Sequence, residues 1–213
     1  MRSATPGKRM TEWLRNSGLL LVAASCLGGC ATSASVHVEE TFPTVVAIPQ
    51  ELSAVIVMDE SFRTYQALPL KNVDIEFGSA QVDLWNKAFQ GLFDRVEVVS
   101  SRAQASPTAD LIITPSVQEV QLSTPSQSYL TVYEVWIKYR LDIETSDGVP
   151  IDSWFLPAYG KTSDSVLLSR SRAIEDATVV ALRDAGAKLM LDFFRIPAIH
   201  VWMEQRLTPE EPS

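Results

Sequence analysis

The chain has 213 residues, with 18 Lys and Arg against 26 Asp and Glu and a formal net charge of −8. An acidic chain lacks the basic patches that nucleic acid and anionic membrane surfaces select, so no nucleic-acid partner is expected. Its two cysteines, Cys26 and Cys30, fall in the first 30 residues, so the remainder forms no disulfide and offers no thiolate to zinc.

The first element is a leader. Arg2, Lys8, Arg9 and Arg15 precede an apolar run from Leu19 to Leu27, interrupted by Ser25. A positive flank, a short apolar segment and small residues before a cut mark a secretory signal. The run is about half of the roughly 20 apolar residues that a membrane-spanning helix needs. Leu27-Gly28-Gly29-Cys30 resembles the lipobox of bacterial lipoproteins. Cys26 competes weakly, because Ala23 stands where Leu is usual. The resemblance implies that residues 1–29 are a cleaved signal peptide and that Cys30 carries a diacylglyceryl thioether and an amide-linked acyl chain such as palmitate. Ala31 stands where inner-membrane lipoproteins usually have Asp, which implies the periplasmic face of the outer membrane. Cleavage would remove four basic residues and one acidic residue, leaving 184 residues with a charge of −11.

Residues 30–50 are expected to be a tether that lifts the domain off the bilayer. Ala31 to Ser35 are small and polar, and Pro43 and Pro49 interrupt the rest of the segment. Val36 and Val38 alternate with His37 and Glu39, so a short strand is the alternative, and His37 reads as a solvated linker residue. One domain is expected over 51–206, with a disordered tail over 207–213. The run from Ala54 to Met58 predicts a buried strand. Glu60 to Phe77 holds Pro69 and shows no clean period, which predicts a loop with an edge strand near 73–75. Ser79 is expected to cap a helix, with Asp83 near its positive end. Trp85, Phe89, Leu92 and Val96, with Phe93 beside them, form its core stripe. Val96 to Val99 then make a short strand. A polar loop over 100–108 leads to a strand from Asp110 to Leu122, in which Pro115 predicts an edge or a bulge.

From Tyr133 to Glu144 apolar and polar residues alternate without a miss, which predicts a strand with one face on a core and one toward water. Asp147-Gly148 makes the next turn. A two-residue loop would pair Asp152 with Ile143 and bury Asp152. A three-residue loop pairs Ile151 with Ile143 and Phe155 with Tyr139, and the burial cost favours it. That register places Trp154 opposite Arg140 on the outer face, which Trp136 shares. A second helix is expected from Ser169 to about Arg195, with Ile174, Ala177, Ala181, Ala185, Leu189 and Phe193 as its stripe, ended by Pro197.

The order predicts an α+β two-layer sandwich, with two helices on one face of a mostly antiparallel sheet of four to five strands. Lipobox, aromatic helix, three long strands and an Ala-rich last helix (Ala173, Ala177, Ala181, Ala185) resemble small envelope-assembly lipoproteins. These include the lipopolysaccharide-assembly and the curli- and exopolysaccharide-secretion lipoproteins, whose domains are similar to the N-terminal domain of TolB. The resemblance implies an accessory role through an envelope protein or self-association.

Catalytic signals are lacking. No nucleophile elbow, His-Glu-x-x-His or phosphate loop is present, and the two histidines, His37 and His200, are far apart in sequence. No enzyme activity, metal or cofactor is expected. Asp142, Glu144 and Asp152 read as a solvated cluster. The candidate partner surface is Trp136, Arg140 and Trp154, since exposed Trp beside Arg is the composition of interface hot spots. The alternative is a lipid- or glycan-binding module that uses the Trp136/Trp154 face. The polar tip Ser123 to Ser128 is a second, weaker candidate.

Overall fold

The computed structural model describes residues 33–44, 46–128, 130–164 and 169–207. The leader, Cys30 and the tail from Thr208 onward lie outside the described residues. Among the described residues eight strands and five helices follow one another: β1 (Ala34–His37), β2 (Gln50–Val57), α1 (Glu60–Arg63), β3 (Gln66–Leu70), β4 (Val73–Glu76), α2 (Gly78–Leu92), β5 (Phe93–Val99), β6 (Leu111–Ser123), α3 (Pro125–Ser128), β7 (Val132–Glu144), β8 (Pro150–Ser163), α4 (Arg170–Asp192) and α5 (Pro197–Leu207).

The main sheet runs β5-β2-β6-β7-β8. Helices α2 and α4 pack on one face of it and share a single apolar core, so the α+β arrangement expected from the sequence is the one the chain adopts. The long ladders β6–β7 and β7–β8 are antiparallel. Strand β2, however, joins β5 and β6 in parallel, so the sheet is mixed. A second sheet, β1-β4-β3, departs from the sequence expectation. It forms because the span from Glu60 to Phe77 is no loop: Asp59 caps α1 by accepting from the Phe62 N–H, and β3 and β4 then pair as a hairpin with Pro69 on its outer strand.

The expected tether is largely folded. Ala34, Val36 and Val38 are buried, and β1 pairs in parallel with β4 from Ala34 opposite Val73 to His37 opposite Glu76. Phe42 is also buried. Its N–H donates to Asp83 Oδ2 at 2.9 Å, and Lys87 donates to its carbonyl. The short alternation Val36/Val38 is therefore a strand.

Helix α2 begins two residues earlier than a cap at Ser79 would place it. Phe77 occupies the N-cap and supplies no side-chain cap bond, so Ser79 does not cap the helix. Gly78 is required there because a Cβ would fall 2.3 Å from the Arg63 carbonyl oxygen. The stripe ends at Leu92; Phe93 and Val96 belong to β5. Trp85 packs edge-on against Tyr139 of β7, with ring centroids 5.0 Å apart. Tyr139 Oη donates to Gln81 Oε1 at 3.1 Å, and Gln81 Nε2 donates to the Phe62 carbonyl at 2.6 Å. This chain satisfies the buried polar atoms of Gln81 and Tyr139, and burial pushes the Tyr139 phenol well above its ordinary value.

Pro115 lies in a central strand, not at an edge. It is tolerated because β2 pairs with β6 only from Leu111 to Ile113, so the missing N–H falls beyond the end of that ladder. Pro115 itself pairs in register with Leu141, and the ladder's bulge lies further along, between Val117 and Glu119.

The hairpin β7–β8 corrects the predicted register. Glu144 pairs with Pro150, the register of the favoured loop, but a bulge at Ile151 then shifts the ladder by one residue. From there Ile143 faces Asp152, Leu141 faces Trp154, Arg140 faces Phe155 and Tyr139 faces Leu156. The cause is the helix α4. Leu156, Ala158 and Gly160 alternate on the inner face, and a Cβ on Gly160 would meet Ala177 O at 2.1 Å and Ala181 N at 2.3 Å. In the unshifted register Phe155, Pro157 and Tyr159 would have to fit that space. Asp152 is half-buried, not enclosed, so the anticipated burial cost is small.

Helix α4 starts at Ser169, whose side chain accepts from the Arg172 N–H. It also closes the open edge of β8. The Tyr159 N–H donates to Asp184 Oδ2 at 2.8 Å, and Lys188 donates to the Pro157 carbonyl at 2.7 Å. Edge groups of β8 are thus taken by side chains, which hinders pairing with another strand. Pro197 ends the preceding helical stretch and opens α5, a helix of 11 residues.

Candidate functional site

The face of the main sheet opposite the helices divides into two parts. On β5, β2 and the start of β6, Val55, Val57, Val99 and Ile112 are buried, with Ala109 and Ala105 of the connecting loop packed against them. On the antiparallel part no element among the described residues covers the large side chains in this way. Trp136 is 37% exposed and Phe155 48% exposed.

Strand pairing fixes the rows of this open face. Gln121, Trp136 and Tyr159 lie side by side, then Glu119, Lys138 and Pro157, then Ser116, Arg140 and Phe155. The rings of Trp136 and Tyr159 stand 5.1 Å apart at 41°. Lys138 Nζ lies 4.6 Å from the centre of the Phe155 ring, a cation–π contact. Tyr159 Oη donates to Glu134 Oε1 at 2.7 Å, and that bond, with burial adding to it, raises the phenol above its ordinary value. Between these groups is a shallow, open, mainly apolar depression of about 420 Å³.

Of the residues expected to act together, Trp136 and Arg140 share this face and Trp154 does not. Trp154 pairs with Leu141 on the inner side and packs against the core. The expected Trp136/Trp154 pair therefore does not exist, for the reason that displaced the register: small residues had to face α4. Phe155 takes the place opposite Arg140. Arg140 is also engaged, donating from Nε to Asp142 Oδ1 at 2.9 Å and from Nη2 to Ser153 Oγ at 3.2 Å. The aromatic cluster Trp136, Phe155 and Tyr159 is thus the part of the patch that alternation alone does not reveal. The signal lies in Ala158 and Gly160, whose small size marks the helix-facing side.

The carboxylates near the hairpin hold structure together. Asp142 is bound by Arg140 and Ser153, and Glu144 pairs with Arg102, which also donates to the Ser146 carbonyl at 3.0 Å. Asp152 accepts from the Ser153 N–H. The tip over 123–128 is a turn of helix whose polar groups satisfy one another: the Thr124 N–H and hydroxyl both donate to Gln127 Oε1. His37 lies 3.1 Å from both Glu39 and Glu76, and the hydrogen bonds to those carboxylates raise its pKa above the ordinary value. His200 pairs with Glu204 on α5. Among the described residues no cluster of His, Cys, Asp and Glu has the form of a metal site, and no helix is long and apolar enough to cross a membrane.

No protein-family model and no curated protein matches the chain. Solved structures are similar to it at low identity. A Helicobacter pylori protein, a homologue of neuraminyllactose-binding hemagglutinin, has a TM-score of 0.48 at 12% identity, over 79% of this chain and 100% of its own. A minor lipoprotein of Acinetobacter baumannii has a TM-score of 0.42 at 11% identity, over 75% and 96%. Lipoprotein B of Nitrosomonas europaea has a TM-score of 0.42 at 11% identity, over 81% and 100%.

Proposed function

We propose that this is a lipid-anchored accessory protein of the bacterial envelope, held by Cys30 on the periplasmic face of the outer membrane, that works by binding another protein through the open face of β6, β7 and β8. The anchor rests on the leader and the sequence Leu27-Gly28-Gly29-Cys30. The binding surface rests on one observation: Trp136 and Phe155 stay exposed on the same sheet face on which Val55, Val57, Val99 and Ile112 are buried beneath the chain's own loop. Contiguous exposed apolar surface edged by polar groups marks an interaction site. Here the edge is Glu119, Gln121, Lys138 and Arg140.

A protein partner fits this surface better than a small ligand. Ligand sites enclose most of their guest, whereas this depression is open and lies on a flat strand face. The reading assigns the chain no catalytic role and no cofactor.

Two measurements test it. Mass spectrometry of the N-terminal peptide from envelope material should give Cys30 with its acyl chains, and an unmodified N-terminus would refute the anchor. Crosslinked pull-down of the lipidated protein should recover one dominant envelope protein or a second copy of the chain. The substitution Phe155→Asp should abolish that product while leaving the fold intact. Equal recovery with Phe155→Asp would refute the surface.

A further inference from the structure

Strand β1, the first element among the described residues, begins at Ala34, only four residues after Cys30. Four residues span at most about 14 Å even when fully extended. A domain of this size is about 40 Å across, so this link cannot lift the fold clear of the bilayer or let its far side turn toward it. If Cys30 is acylated, the surface around Ala34 sits at the lipid headgroups.

That surface is specific. The Ala34 N–H donates to the Asn72 carbonyl at 2.8 Å, so the turn of the β3–β4 hairpin lies beside the first residue of the fold. Leu68, next to that turn, is 74% exposed. Lys71 is exposed, and among the described residues it has no ion-pair partner. Neither carboxylate of β4 pairs with Lys71: Asp74 accepts from Gln66 through Oδ2, and Glu76 pairs with His37. A bare leucine and a lysine outside any ion pair among the described residues thus stand at the anchor end of a protein that is otherwise strongly acidic. An apolar side chain beside a cation is the composition that settles at a lipid interface.

We propose that the tip of the β3–β4 hairpin, Leu68 to Asn72, is a membrane-contact surface, with Leu68 entering the headgroup layer and Lys71 meeting lipid phosphate. This rests on the acylation of Cys30 proposed above. The acyl chains supply the affinity and the hairpin sets the orientation, so the open face of β6–β8 is presented at a fixed attitude to the membrane.

The mature chain's one native thiol is Cys30, which acylation blocks, so an introduced cysteine can be labelled alone. The lipidated variants Leu68→Cys and Lys71→Cys, and Asp147→Cys in the β7–β8 turn as reference, would carry an environment-sensitive fluorophore. They would be placed on phosphatidylethanolamine–phosphatidylglycerol vesicles containing a headgroup quencher, and the mass of each N-terminal peptide would be measured on the same samples. The expected result is acylated protein with strong loss of emission at 68 and 71 and little at 147. Acylated protein with no greater loss at 68 and 71 than at 147 would overturn the contact surface and leave the anchor standing. A peptide without acyl chains would overturn both.

Discussion

Between Phe155 and Gly160 the two faces of β8 both carry apolar side chains and have opposite fates. The inner face places Leu156, Ala158 and Gly160 against α4, so closely that no Cβ fits at Gly160. The outer face places Phe155, Pro157 and Tyr159 beside Trp136 and leaves them without a helix. On this stretch of β8 the close approach of α4, through side-chain size, separates the two sides, whereas on β7 charge against apolarity does. The bulky side chains go where no partner within the chain presses on them, and they remain available to a partner outside it.

This contrast can be broken from the inner side most severely. Gly160→Val would drive a side chain into the backbone of α4 and should cost about 3 kcal/mol or more, read as a large fall in the thermal midpoint. Survival of the midpoint would mean that α4 and β8 are not in close contact. The neighbouring pair Leu156→Ala and Phe155→Ala sharpens the point. Leu156 is fully buried, so its truncation should cost about 3 kcal/mol. Phe155→Ala should change stability by no more than about 0.5 kcal/mol while removing the crosslinked partner. Chemical denaturation of the two variants checks this, and comparable losses would erase the distinction between the faces.

A smaller effect concerns the edge. Asp184→Ala frees the Tyr159 N–H at a partly exposed position and should cost about 1 kcal/mol. Faster amide exchange at Tyr159 would report it. The smallest effect is at the surface between β1 and β4. His37 lies between Glu39 and Glu76, and its folded pKa is raised above 6.5. Its charged pairing is therefore fully present below the unfolded value and is lost as pH rises through the higher folded one. A proton-resonance titration of His37 should give a midpoint above 6.5 that drops in Glu76→Gln.

Much of the architecture is legible in the sequence because long alternation and helical stripes carry their own period. The run from Tyr133 to Glu144 and the stripe Trp85, Phe89, Leu92 are plain for that reason. Short elements are not legible: β1 and β3 are too brief for a period to stand out, and their pairing depends on β4, which is distant from β1 in sequence. The register of β8 is hidden for a different reason. The burial of Asp152 at one end of the hairpin points to one register, while Gly160 against α4 at the other end decides it through the bulge at Ile151. That one-residue shift carries Trp154 inward and brings Phe155 out. The candidate surface is therefore half legible: alternation places Trp136 and Arg140 on it correctly and misses its aromatic partners.

The most direct measurement of the central claim is photo-crosslinking in the intact envelope, with a benzophenone side chain at Trp136, at Phe155 and, on the opposite layer, at Val180 of α4, which is 41% exposed. The open-face account predicts one shared crosslinked product from 136 and 155 and none from 180. A product from 180 with none from 136 and 155 would contradict it.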